Sequence, residues 1–409
     1  MRPDTGDTAW LLCSTALVLL MTPALALFYG GLVRRKNVLS TIMHSMAAIP
    51  VITVVWVVLG YSLAFGPSIG GIIGGLDHAL LTDLVGEQRG TVPTLAFVAF
   101  QAMFAIITPA LISGGFAERM KFVAYLVFMV GWSLLVYAPV AHWVWAEGGW
   151  LFSLGALDFA GGTVIHVTAG VSALVCSLVI GKRLKYPVER PLPHNLTMTM
   201  LGAGLLWFGW FGFNSGSALA SGHLAAVAFI NTHLGAAGGA IGWVVIEWKK
   251  GGKPTALGVA SGLVAGLVAI TPAAGFVAPW AALVIGFLAG LACFGAVLVK
   301  YRLGYDDTLD AFGVHGVGGV VGALLTGVFA EARTYSDAAA TVGADGLLRG
   351  GVKQFGVQAL TTLVAGVYAA VATWVLLRAI DRFVGVRVHE NDEREGLDTS
   401  LHGEEGYAG

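Results

Sequence analysis

Long uncharged runs, separated by short polar stretches, dominate this chain. They cover 9–33, 39–66, 93–117, 122–146, 159–181, 191–246, 254–299, 311–330 and 354–377. About 20 apolar residues on a helix cross the hydrocarbon core of a bilayer, so seven of the runs each predict one transmembrane helix. The other two are too long for one. The run 191–246 is expected to break near Ser221-Gly222-His223, and 254–299 near Thr271-Pro272, Gly275 and Pro279. The fold class predicted is an all-α polytopic membrane protein of eleven transmembrane helices.

Composition agrees. Of 409 residues, 56% are hydrophobic and 11% charged, and mean hydropathy is +0.79; a soluble protein carries nearer a quarter charged residues. The 58 glycines fit close helix–helix packing in lipid. The sites of the basic residues then set the orientation. With the N-terminus outside, all but Arg2, Arg89, Arg333, Arg349 and Lys353 of the 23 basic residues, Arg190 among them, fall in inside loops or the tail. Such a bias predicts N-out, C-in, and an even span count would spoil it. A net charge of −1 implies nothing about nucleic acid. Cys13, Cys176 and Cys293 sit in apolar runs without metal-ligand spacing and read as buried bystanders. The first apolar run has no evident cleavage site and is expected to be a retained helix.

Eleven spans divide into two blocks of five plus one. Five is odd, so the two blocks would lie with opposite topology and share a site near the midplane. The expected boundaries are about 9–182, 196–331 and 351–383 within a transmembrane unit 1–385, followed by a tail at 386–409. Two stretches mark the site. Asp158 opens one apolar run and His166 follows eight residues on, about 12 Å deeper on a helix. Asp310 opens another and His315 follows. Ionisable groups at membrane depth are costly, so they face a cavity or a partner. His166 and His315 are therefore expected to meet inside a narrow pore, with Asp158 and Asp310 as helix caps. His142, His233 and His44 have no repeat partner and read as structural.

Several motifs resemble those of the bacterial ammonium transporters of the Amt/Mep/Rh family, in its Amt branch. They are Ala26-Leu27-Phe28-Tyr29-Gly30-Gly31, Asp158-Phe159-Ala160-Gly161-Gly162, Trp210-Phe211-Gly212-Phe213-Asn214 and Phe312-Gly313-Val314-His315-Gly316. In the tail, Glu393-Arg394-Glu395-Gly396-Leu397-Asp398 and His402-Gly403-Glu404 match as well. The resemblance implies a homotrimer in the cell (inner) membrane, one pore per protomer, taking up ammonium and its methylated analogue. It implies an outer recruitment site of Phe104, Trp145 and Ser217, with Phe100 near the vestibule. Phe104 and Phe213 would form a gate, and Trp210 would line the pore around the twin histidines. Asp158 would be the family's buried acid, structural or involved in deprotonation. Arg394, Glu395, Gly396, Leu397 and Asp398 would belong to an ordered tail that touches the neighbouring subunit and docks a PII-type signalling protein. By composition alone, that acidic tail reads as disordered.

The chemistry fits these residue types. Aromatic faces attract a cation by roughly 0.5–2 kcal/mol each. A bare ion in an apolar passage costs tens of kcal/mol by a Born estimate. An amine with a pKa about three units above neutral loses its proton for roughly 4–5 kcal/mol. A dry conduit thus favours ammonia over any ion, and potassium has no proton to lose. Imidazoles can donate, accept and relay protons there. Two alternatives share the pore: an ammonium sensor, and an Rh-type NH3 gas channel without the outer cation site. A channel for dehydrated ions would need rings of carbonyls or acids. An intramembrane enzyme would need a metal cluster or a nucleophile–base pair, and neither pattern is present in the sequence.

Overall fold

The computed structural model describes residues 2–188, 192–335 and 344–407. Arg190 and residues 336–343 of the long loop 331–353 lie outside them. Helices α1 (Thr5–Leu32), α2 (Arg35–Phe65), α3 (Thr94–Gly115), α4 (Phe122–Leu154, with a turn at 146–149) and α5 (Gly162–Ile180) come first. After them come α6 (Leu196–Gly216), α7 (His223–Gly251), α8 (Ala256–Ile270), α9 (Pro279–Leu303), α10 (Phe312–Phe329) and α11 (Val352–Phe383). Both long runs break where expected, before His223 and after Ile270. Ten of these helices are long and apolar enough to cross a membrane. The exception is α8, whose 15 residues reach only about 22 Å; a buried turn through 271–277 follows it.

Helix starts follow side-chain chemistry. Asp4, Asn195 and Thr255 each accept a hydrogen bond from the backbone N–H three residues on, at 2.9 Å, and so cap α1, α6 and α8. Two short hairpins, β1–β2 (Ser68–Ile69 with Ile73–Gly74) and β3–β4 (Gln88–Arg89 with Val92–Pro93), fill the connection between α2 and α3. Asp7 ties the second hairpin to the α6–α7 turn. It accepts from the Thr91 hydroxyl at 2.6 Å and from the Ser221 amide at 2.8 Å.

The opposite end carries a buried ion network. Glu118 is fully enclosed and accepts from the Arg34 backbone (2.8 Å), the Asn37 amide (2.9 Å) and the guanidinium groups of Arg34 (3.0 Å) and Arg183 (2.9 Å). Arg183 also pairs with Asp306 at 2.8 Å. Arg119 donates to the carbonyls of Gly115, Gly181 and Asp306 and to the Thr308 hydroxyl. The start of α2, the α3–α4 and α5–α6 connections and the segment before α10 are thereby tied together.

The tail folds onto the same network, so its composition misleads. It carries one short helix, α12 (Glu390–Glu395). Glu393 accepts from the Leu184 amide (2.6 Å) and pairs with Arg387 (2.8 Å). The Leu397 amide donates to Asn37 Oδ1 at 2.8 Å. Asp398 caps the start of α2, accepting from the amides of Leu39 (3.1 Å) and Ser40 (2.8 Å). Lys36 donates to the Arg394 carbonyl. Gly396, Leu397 and Asp398 are buried, whereas the Arg394 and Glu395 side chains point outward.

Burial alone would raise the Glu118 pKa, but Arg183 and Arg34 overcome it and hold the carboxyl at about 2 against an ordinary 4.5. Its contribution to stability is therefore complete above pH 4.5 and lost as the pH falls through 2. Glu118→Ala leaves the half-buried Arg34 without its carboxylate and the buried Arg183 with Asp306 as its one remaining anion, which costs up to about 3–5 kcal/mol. A clear drop in melting temperature in detergent at pH 7 is expected. A wild-type melting curve that acid shifts no more than that of Glu118→Gln would contradict this account.

Candidate functional site

On the hairpin side of the helices a wide vestibule opens, and its lining includes Phe104, Trp145 and Ser217. Trp145 ends the regular part of α4 and donates from Nε1 to the Asp158 carbonyl at 2.8 Å, which fixes its ring. The ring meets Phe104 edge-on, with centroids 6.1 Å apart. Ser217, just past α6, donates back to the Phe213 carbonyl at 2.9 Å, leaving its oxygen lone pairs as acceptors. Phe100 does not line the vestibule. It is fully buried and packs edge-on behind Phe104 at 4.8 Å.

The vestibule floor is a pair of rings. Phe104 on α3 and Phe213 on α6 lie 4.4 Å apart at 35°. Beneath them is a narrow apolar cavity bounded by Phe28, Leu111, Val264, Trp210, His166 and His315, among others. Its free space amounts to about one water molecule. Trp210 lies nearly parallel to the His166 ring at 5.5 Å and is held by a 2.9 Å hydrogen bond from Nε1 to Thr271.

His166 and His315 face each other across this cavity. Their Nδ1 atoms are 3.2 Å apart and their ring planes differ by 10°. A contact between like nitrogens requires one to carry hydrogen and the other to accept. The two Nε2 atoms are then opposite in kind, one a donor and one an acceptor. His166 Nε2 is buried without a partner. Each histidine sits in a π-turn, Gly162–Val167 or Phe312–Gly316, that leads into a 13-residue α-helical segment. The two segments pass in opposite senses, with Gly162 near Gly319 and Gly170 against Gly316. A side chain at Gly170 would collide with the Gly316 backbone, so that glycine permits the approach on which the histidine contact depends.

A carboxylate opens each turn. Asp158 accepts from the amides of Gly161 (3.2 Å), Thr163 (3.0 Å) and Val164 (2.9 Å). In the second stretch the capping acid is Asp307, which accepts from Ala311 (3.1 Å) and Phe312 (2.8 Å). The expectation that Asp310 caps is corrected here. Asp310 has positive φ, and its carboxylate turns away to pair with Lys300.

Known proteins resemble the chain throughout. Residues 9–407 match the model of the Ammonium Transporter Family. An ammonium transporter of Bacillus subtilis is 50% identical over 406 residues, covering 98% of each chain. The crystal structure of Saccharomyces cerevisiae Mep2 superposes with a TM-score of 0.91 at 37% identity, over 96% of this chain and 89% of that one. A solved structure named Sensor Amt Protein superposes with a TM-score of 0.89 at 27% identity, over 97% and 98%. This chain belongs to the ammonium transporter family. It is a multi-pass membrane transport protein.

Asp307 is the acid that sequence reasoning missed, although a signal was present: it stands eight residues before His315, as Asp158 does before His166. Thr271, which holds Trp210, had no signal, because the contact joins α6 to the end of α8. The remaining histidines lie away from the twin pair. His142 bridges the Ala64 carbonyl (3.0 Å) and Ser68 (2.8 Å). His44 is buried among Phe116, Phe122 and Tyr125, and His233 stacks on Trp207.

Asp158→Ala and Asp307→Ala each strip buried amides of their acceptor, at about 1–3 kcal/mol per group. Both variants should melt earlier in detergent, and the Asn variants should recover part of the loss. Unchanged melting of both Ala variants would remove the capping role.

Proposed function

We propose that the protein recruits NH4+ at Phe104, Trp145 and Ser217, strips a proton beneath the Phe104–Phe213 gate, and conducts NH3 past His166 and His315. The observation that carries this reading is the 3.2 Å imidazole pair at the end of a cavity too small and apolar for a hydrated ion. The aromatic faces and the Ser217 oxygen suit a small N–H-bearing cation such as ammonium or methylammonium. Below them, burial of the ion costs far more than losing the proton. An imidazole pair offering one free donor and one free acceptor gives ammonia hydrogen bonds on the way and gives the proton a path.

Transport is favoured over sensing. The Bacillus relative named a transporter covers the chain at 50% identity, against 27% for the sensor. The aromatic outer site separates this reading from a gas channel. We place the protein as a homotrimer in the cell membrane, with two inverted five-helix repeats, an added last helix and the N-terminus outside. We assign 386–409 to a cytoplasmic regulatory tail whose exposed Arg394 and Glu395 would meet a neighbouring subunit or a PII-type protein.

His166→Ala and His315→Ala are expected to yield folded protein whose selectivity is lost, so that potassium currents appear in planar bilayers alongside ammonium flux. Wild-type exclusion of potassium by both variants would refute the proton-stripping mechanism. Truncation before Arg394 is expected to leave the helices folded and to abolish PII binding or change the control of uptake. Uptake and PII binding both at wild-type level would refute the tail assignment.

A further inference from the structure

Arg89 lies in the lining of the same vestibule as Phe104, Trp145 and Ser217. A fixed cation is out of place in a chamber that gathers cations. Its position is nevertheless well held. The guanidinium lies over Phe97 at 4.2 Å and Phe65 at 5.5 Å, at the end of β3. Among the described residues no carboxylate pairs with it. Its charge therefore acts on the vestibule without a local partner to cancel it.

The other charges in the lining explain what it does. Glu147 stands exposed there, and Asp158 lies at the inner edge with its carboxylate engaged by backbone amides. The two acids outweigh one arginine, so the lining is formally −1 with Arg89 and −2 without it. A negative field gathers cations in proportion to their charge, so the enrichment factor for a dication is the square of that for a monocation. Aromatic walls bind organic diammonium ions as readily as ammonium. The more negative vestibule would thus be occupied more heavily by divalent metal ions and diamines that cannot pass.

We propose that Arg89 is a specificity-determining residue, a charge filter that keeps divalent cations off the recruitment site at some cost in affinity for ammonium. The inference rests on the recruitment site proposed above and adds which competitors the site excludes.

The test uses the full protein in proteoliposomes, with methylammonium as the transported probe and ethane-1,2-diammonium as the inhibitor. Arg89→Met keeps a long apolar side chain beside Phe97 and Phe65 in place of the guanidinium and removes the charge, whereas Arg89→Lys keeps the charge. In Arg89→Met the half-saturation for methylammonium should fall about two- to three-fold. The inhibition constant for the diammonium should fall by the square of that factor, about four- to ten-fold. Arg89→Lys should match wild type, and the differences should vanish at 1 M salt, where the screening length is about 3 Å. Equal shifts for the monocation and the dication, or matching shifts in the Met and Lys variants, would reduce Arg89 to a hairpin anchor. Trp145→Leu, run in parallel, tests recruitment itself: an unchanged half-saturation there would overturn the aromatic site, while the ratio of the two Arg89→Met shifts still decides the filter.

Discussion

The structure depends on two carboxylates that satisfy broken helix ends deep in the protein. A helix that begins inside an apolar bundle exposes backbone amides with no water to meet them. Asp158 takes up three of these amides and Asp307 two. With those ends satisfied, each π-turn can start short of the surface and hold its histidine eight residues past the capping acid. The twin histidines are consequences of this capping as much as of their own chemistry.

Around that centre, small residues and rigid aromatic anchors decide the width of the cavity. The Gly170–Gly316 approach brings the two histidine-bearing segments close enough for a 3.2 Å contact between rings. Trp210, anchored by Thr271, walls one side, and Phe104 over Phe213 closes the top. In the proposed function such a cavity would exclude hydrated ions by size and bare ions by desolvation. In the proposed mechanism the proton is therefore the feature on which selection acts.

The two ends of the molecule use charge differently. The basic end concentrates cations against buried acids: Glu118 alone joins Arg34, Asn37 and Arg183, and the tail locks onto it through Glu393 and Asp398. At the vestibule end, Glu331 pairs with the exposed Arg333 and Arg349. The tail is fastened to the start of α2, which its displacement would uncover.

Apolar run lengths, turn residues and the placement of basic residues were enough to locate the helices and their breaks, because the bilayer imposes a length and the backbone must satisfy itself within it. The twin histidines were legible for the same reason: an ionisable group in an apolar run stands out. What the sequence left open were choices between neighbours and contacts between distant segments. Asp307 and Asp310 both precede His315, and only the fold, with Lys300 drawing Asp310 away, settles which one caps. The acidic tail looked unstructured because its partners, Asn37, Leu184 and the start of α2, are remote in the chain. Thr271 beneath Trp210 was hidden likewise. Local pattern determines where helices form, since each helix satisfies its own hydrogen bonds. Which polar group meets which depends on segments brought together only when the bundle packs.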